Sequence, residues 1–510
     1  MYAKSFGMAV MGLDGYEVTV EVDISAGLPC FEIVGLPTAS VREAKERVRA
    51  ALKNSGFEVP LRRIIVNLAP ADVRKDSAGL DLPIALGILA ASEENKVRQR
   101  LWKEKLQSLV CIGELSLDGL IKGVPSTFAM LQSLPKDKQT CIISEEDKEL
   151  AYIEPGLSIY SASTLRQVVT HIVSDEPLDR VAEKERSIEA SYTVDFQDVQ
   201  GQDVAKRAFL IAAAGYHHIF LSGMPGAGKT MLAKRLPTIL PPLTREEWRA
   251  VNQIYSVANS QLLQERPFRS PHHTITVSAL AGGGRIPKPG EITLAHKGVL
   301  FLDEIPEFHR SVLETLRQPL ESGIIHISRV QRQFNYPARF LLVAAANPCP
   351  CGWYGASDGI HQCRCTMGQV NKYQQTLSGP MLDRIDLTIQ VERPKLDELS
   401  ISAGGLSSKE MRQQVVEARE RQAYRYRKVD RISKEPLLNG LLSHNDLLAW
   451  APLTMEAQTV LEGAFTDLGL SLRSYDRIWR LAQTIADIEG ANKIEAVHIA
   501  EALSYRKNEQ

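Results

Sequence analysis

The stretch Gly223-Met224-Pro225-Gly226-Ala227-Gly228-Lys229-Thr230 limits the fold of this chain more than any other, because it fits G-x-x-x-x-G-K-[ST] with the right flanks. His218-Ile219-Phe220-Leu221 reads as a buried strand before it, and Met231-Leu232-Ala233-Lys234-Arg235-Leu236 as a helix after it. Strand, glycine loop and helix in that order call for an α/β core. The glycines let successive N–H groups turn inward on phosphate oxygens, and the helix N-terminus adds positive potential. Lys229 is then expected to reach the β- and γ-phosphates of ATP, and Thr230 to offer its hydroxyl to Mg²⁺. A chance match in a flexible glycine loop would lack these flanks.

Two further strand tips carry chemistry. Val299-Leu300-Phe301-Leu302 is an apolar run ending in Asp303 and Glu304. The first carboxylate suits a Mg²⁺ partner, and the second is placed to polarise an attacking water, which points to hydrolysis rather than binding alone. Phe340 to Ala346 is another buried-type strand, and Asn347 at its tip is expected to orient that water.

A chain of 510 residues exceeds one ordinary core and predicts two or three domains. The formal net charge of −1 gives no global attraction to nucleic acid, so any such binding must come from local basic surface or an assembled channel. The N-terminal residues lack the apolar core of a signal peptide, and no apolar segment reaches the ~18 residues of a membrane span. The expected setting is cytoplasmic, without a membrane. Of seven cysteines, Cys30, Cys111 and Cys141 sit among apolar neighbours and read as small buried residues. The other four cluster as Cys349-Pro350-Cys351 and Cys363-Arg364-Cys365, two C-x-C pairs that resemble a Cys₄ zinc site with tighter spacing than C-x₂-C. Disulfide pairing is the alternative, disfavoured in a reducing cytoplasm, and His361 reads as a loop residue or a substitute ligand.

Four segments are expected. Residues 1–172 mix strands (Val18 to Val22, Ile64 to Leu68, Leu109 to Ile112) with an amphipathic helix from Ser40 to Asn54, and form an α/β domain. Residues 173–195 turn polar and read as a linker. The nucleotide core spans 196–394, with the cysteine loop at 349–365, and helix-favouring stretches fill 395–510.

This order of elements resembles an AAA+ ATPase with a C-terminal helical lid. Leu377 to Asp386 is similar to the arginine-finger segment of the magnesium-chelatase and MCM-like branch, which implies that Arg384 acts on a neighbouring subunit's γ-phosphate. A surface Arg–Asp pair is the plainer reading of the same spacing. Leu472-Arg473-Ser474-Tyr475-Asp476-Arg477 resembles the second sensor, with Arg473 favoured over Arg477. Arg269-Ser270-Pro271-His272-His273-Thr274, Gly282-Gly283-Gly284, the run Pro289 to His296 and the Cys-Pro-Cys-Gly cluster narrow the resemblance to the ComM (YifB) family. Membership implies a ring, expected to be hexameric, that acts on single-stranded or branched DNA as a branch-migration helicase in natural transformation, with recombination proteins as possible partners.

The first 172 residues also resemble the Lon-type protease fold, whose dyad pairs a serine with a lysine. Ser77 is the tempting nucleophile, yet aligning Lys75-Asp76 puts Gly79 at that position. The frame from Gly113 to Gly119 puts Phe128 where the lysine belongs, and Lys122 lies in the preceding strand-like segment. A catalytically silent domain is expected.

Residues 281–290 form a glycine- and proline-rich loop in which Arg285 and Lys288 would track a phosphate backbone, unless it is a solvated turn. The run of Arg419, Arg421, Arg425, Arg427, Lys428, Arg431 and Lys434 with Tyr424 and Tyr426 reads as a DNA contact or as a solvated helix face. His272 and His273 could be metal ligands, but on an extended segment they should point opposite ways, which favours a packing or interface role. A chelatase-like metal-insertion ATPase and a protein unfoldase or protease are the competing functions.

Overall fold

The structure, a computed structural model, describes the whole chain except residues 74, 76–77, 139, 151–156, 175, 182–191, 285–286, 330–331, 357–360, 377–380, 382, 394–404, 428–436 and 507–510. Ser77, Arg285, part of the expected linker and much of the arginine-finger segment before Arg384 therefore lie outside the described residues. The chain divides into two compact units, Met1–Ser187 with Arg249–Leu263, and Ile188–Trp248 with Gln264–Gln510.

The first unit is built on an eight-stranded sheet in the order Asp179–Arg180, Ser158–Ala162, Thr140–Ser144, Leu109–Cys111, Tyr2–Met11, Asp14–Ser25, Arg63–Ala69 and Cys30–Val34. Along Asp14–Ser25, Val18, Val20, Val22 and Ile24 are buried on alternate positions, the period-2 signature of a half-covered strand. The helix Asp81–Ser92 is apolar all round and almost wholly buried, as a core helix should be. Its Asp81 is clamped by Arg47 at 2.7 and 3.1 Å. Burial pushes the Asp81 carboxyl up to about 6 against the pull of that guanidinium. Phe128 is fully buried in the helix Thr127–Gln132, so a packed ring fills the position assigned to a dyad lysine. Lys122 is instead paired with Glu146 at 2.9 Å.

Residues 249–263 belong to this unit, not to the nucleotide core in which the sequence reading placed them. Gln253 donates to Leu13 O and Asp14 Oδ1 at 2.9 and 3.1 Å, and Asn252 closes the excursion by bonding Leu263.

In the second unit a five-stranded sheet uses β1 (Ile219–Gly223), β2 (Phe268–Arg269), β3 (Val299–Leu302), β4 (Leu341–Ala346) and β5 (Leu387–Val391). The strands run parallel in the order β2-β3-β4-β1-β5. Every residue of β3 and β4 is buried, as expected for parallel strands covered on both faces. Helices α1 (Asp203–Gly215), α2 (Lys229–Ile239), α3 (Ser408–Tyr426), α4 (Leu472–Glu489) and α5 (Ala496–Ser504) share one hydrophobic core with this sheet. The C-terminal helices thus belong to the same compact unit as the nucleotide core.

A buried polar network explains that union. His217 bonds Thr484 Oγ1 at 2.7 Å and Asp386 at 3.3 Å. Asn439 donates to Thr484 Oγ1 at 3.1 Å and to Asp487 Oδ2 at 2.8 Å, and Arg425 forks onto Asp487. The Asp487 side chain is wholly buried. Asp487→Ala would strand the Arg425 charge and should destabilise this unit by about 3–5 kcal/mol. Asp487→Asn, which keeps an acceptor, should cost less. Equal and small losses for both in chemical denaturation would contradict the assignment.

Candidate active site

Gly223 ends β1, Met224 to Gly228 form the turn, and Lys229 and Thr230 open α2. The glycines are needed for two reasons. Gly226 and Gly228 have φ of +76° and +94°, where a side chain is disfavoured. A Cβ on Gly223 would stand 2.4 Å from Val391 O, so β5 approaches too closely for any other residue. Lys229 Nζ donates to Gly223 O, Met224 O and Asn347 Oδ1 at 2.5, 3.1 and 3.0 Å. Burial lowers its pKa while Asp303 and Glu304 oppose the shift.

Asp303 and Glu304 follow β3, and Asn347 follows β4, so the parallel sheet brings all three to the edge where the glycine loop lies. Thr230 Oγ1 donates to Asp303 Oδ2 at 2.8 Å, which sets two hard oxygen donors side by side as a Mg²⁺ site requires. Glu304 has a φ of +50°, a strained conformation for a non-glycine residue, and its half-exposed carboxylate projects from the turn after β3.

One neighbour of Glu304 escaped the sequence reading. The rings of His272 and His273 do not point apart but lie 4.1 Å from each other, because His273 and Thr274 form a turn rather than extending β2. His273 Nδ1 comes within 3.9 Å of Glu304 Oε2. The parallel pairing of β2 with β3 was the missing signal, since it carries the segment after Arg269 to the same sheet edge.

Arg384 and Arg473 lie elsewhere. Arg384 precedes β5 by three residues and Arg473 sits in the first turn of α4, and both line a cleft of about 410 Å³ with Arg339, Arg477 and Arg480. Because β5 and β1 are parallel, this cleft is at the N-terminal edge of the sheet and the glycine loop is at the C-terminal edge. A five-residue strand such as β1 already spans about 16 Å. Arg384 pairs with Glu321. Arg477 donates to Ile385 O at 2.8 Å, whereas Arg473 is exposed in the cleft wall with no ion pair among the described residues. Burial holds His218, beside the cleft, down to about 4, so it stays neutral and accepts from Leu342 N.

Cys349, Cys351, Cys363 and Cys365 converge, with all four sulfurs within 4.8 Å of one another. The peptide N–H groups of Arg364 and Trp353 point at the Cys351 sulfur and lower its pKa, while burial and the neighbouring sulfurs raise those of Cys363 and Cys365. His361 is absorbed differently, stacked on Trp353 at 3.7 Å. Lys288 is exposed in the short hairpin Gly282–Gly283/Lys288–Pro289.

Of the basic run, Arg419, Arg421 and Arg425 lie on α3 and Arg427 just past it, while Lys428, Arg431 and Lys434 lie outside the described residues. Arg419 donates to Ala213 O and Arg425 grips the buried Asp487, so two of these cations turn inward, while the exposed Arg421 donates to Asp487 O. Arg427 lies over Tyr424 at 3.9 Å.

A family model described as magnesium chelatase, subunit ChlI, matches residues 195–399. Two others, for subunit ChlI and for its C-terminal region, match 20–147 and 405–506. The competence protein ComM of Haemophilus influenzae is 43% identical over 512 residues, covering 98% of this chain and 96% of that protein. The YifB proteins of Escherichia coli and Salmonella typhimurium are each 42% identical, with the same shares covered. The chain belongs to the ComM (YifB) family. Its similarity to the magnesium-chelatase 67 kDa subunit of Chlorobaculum parvum is narrower, 26% over 155 residues and 30% of the chain. As a ComM-family protein it is a magnesium-chelatase-like ATPase with a mixed α/β fold. Among the described residues no helix is long and apolar enough to cross a membrane.

Proposed function

We propose that this chain is a ring-forming ATPase that couples ATP hydrolysis to remodelling of DNA, as a branch-migration helicase in transformation or recombination. The observation that carries the reading is the split of its charged groups between opposite edges of one parallel sheet. Lys229 holds the β- and γ-phosphates, Thr230 and Asp303 hold Mg²⁺, Glu304 takes the proton of the attacking water and Asn347 orients it. Mg²⁺ held by Thr230 and Asp303 would supply positive charge to offset that of the phosphates. Arg384 and Arg473 are too far from their own glycine loop to assist, so they complete the site of the next subunit. A heterologous contact of this kind closes into a ring.

The load is DNA on two grounds. The Haemophilus influenzae relative is named a competence protein. Lys288 is exposed on a short hairpin, a local cation of the kind that must track a phosphate backbone when the whole chain is near neutral. Partner recombination proteins would load the ring. The chelatase family models support a second reading, metal insertion into a porphyrin. Proteolysis is opposed by the buried Phe128 ring.

The test is displacement of a labelled arm from a four-way junction, run with ATP hydrolysis and with Glu304→Gln as control. The proposal expects junction-stimulated hydrolysis and arm displacement, both weakening as salt rises. Hydrolysis indifferent to DNA but raised by chelatase partner subunits and porphyrin would favour metal insertion and sink the DNA reading.

A further inference from the structure

The four cysteines sit beside the glycine loop, and their geometry suits one metal. Their sulfurs are unbonded thiols at 3.3, 3.6 and 3.7 Å for three of the pairs. Four thiolates about 2.3 Å from a tetrahedral zinc stand about 3.8 Å apart, while a disulfide would bring a pair to about 2.05 Å. Tyr354 N adds a hydrogen bond to Cys349 Sγ at 3.3 Å, of the kind that stabilises thiolate ligands.

Three contacts lead from this centre to the loop. Cys349 is two residues past Asn347, whose Oδ1 accepts from Lys229 Nζ at 3.0 Å. Gly352, with a φ of +84°, lies so close to the loop that a Cβ there would be 2.6 Å from Pro225 Cγ. Trp353 stacks on His361 and carries the Arg393 guanidinium 5.0 Å from its ring centre, and Arg393 Nη2 donates to Pro225 O at 2.9 Å. The described residues of 349–365 form turns without helix or strand, so a cross-link among the cysteines is what can hold Gly352 and Trp353 in place.

We propose that Cys349, Cys351, Cys363 and Cys365 bind one zinc ion that braces the phosphate loop through Gly352, Trp353 and Arg393, so that nucleotide affinity depends on the metal. This rests on the loop being the nucleotide site. Loss of the metal would free Pro225 and Asn347 together and weaken nucleotide binding without touching a residue that contacts phosphate.

The experiment uses the full chain and three readouts: zinc by elemental mass spectrometry, amide hydrogen exchange of residues 223–230, and binding of a fluorescent ADP analogue. Wild type should carry one zinc per chain. A Cys363→Ser, Cys365→Ser double variant should lose it, exchange faster across 223–230 and bind the analogue at least tenfold more weakly. Gly352→Ala, which places a methyl group against Pro225, should keep its zinc yet bind more weakly. Trp353→Ala, which is less prone to misfold, should do the same to a smaller degree. Absence of zinc from wild type overturns the proposal, as does zinc loss that leaves loop exchange and affinity within twofold of wild type. Loop exchange that responds to zinc in a protein that never binds the analogue would sink the nucleotide reading and leave the brace standing.

Discussion

Glu304→Gln should bind ATP with near wild-type affinity and hydrolyse it about 10²–10⁴-fold more slowly, the range lost when a positioned general base is removed. The amide is the same size as the carboxylate, so the turn at φ +50° and its contact with His273 are expected to survive. What is lost is the capacity to take a proton from water. Asp303 cannot substitute, because one of its oxygens is engaged by the Thr230 hydroxyl at 2.8 Å and the other by Glu304 N at 3.0 Å. Single-turnover hydrolysis and equilibrium binding of a fluorescent ATP analogue separate the two effects. Hydrolysis within fivefold of wild type would remove Glu304 from the proposed role and point to another base.

That the glycine loop, Asp303 and Asn347 share one edge of the sheet was legible because each follows a strand that announces itself. The apolar runs before Gly223, Asp303 and Asn347 are buried parallel strands, and in such a sheet strand tips share an edge. The opposite edge was only half legible. Arg384 and Arg473 are far apart in sequence, and it takes β5 and α4 folding together to put both in one cleft. Spacing could not give that.

The errors have physical causes too. His273 was read as part of an extended segment, whereas β2 stops at Arg269 and a turn redirects both imidazoles. Cations on a long helix are ordinarily solvated, so the reading could not foresee that Arg419 and Arg425 serve a buried carbonyl and the wholly buried Asp487. Residues 249–263 bear no compositional mark that they belong with the first unit. Gln253 ties the segment there through bonds to Leu13 and Asp14, which sequence proximity does not suggest.

Arg384→Ala is expected to bind ATP normally and to lose about 10³-fold or more in turnover, the usual worth of an arginine that stabilises transferring-phosphoryl charge. Loss of the Glu321 pair is the competing explanation, since it would loosen the cleft. Glu321→Ala breaks the same pair and tests it: under the proposed role its turnover changes little, while Arg384→Ala is nearly inactive. Arg473→Ala, from the same cleft, should show a smaller loss with the same intact binding.

The claim that each glycine loop is half of a site is tested most directly by mixing. Lys229→Ala disables the loop and Arg384→Ala disables the opposite face, so each variant alone should be nearly inactive. In a ring assembled from equal amounts of both, a loop with Lys229 next to a neighbour with Arg384 arises at about one contact in four. The account predicts that mixed, co-assembled rings recover up to about a quarter of wild-type ATP hydrolysis. Mixed rings shown by mass to contain both variants, yet as inactive as either alone, would contradict it.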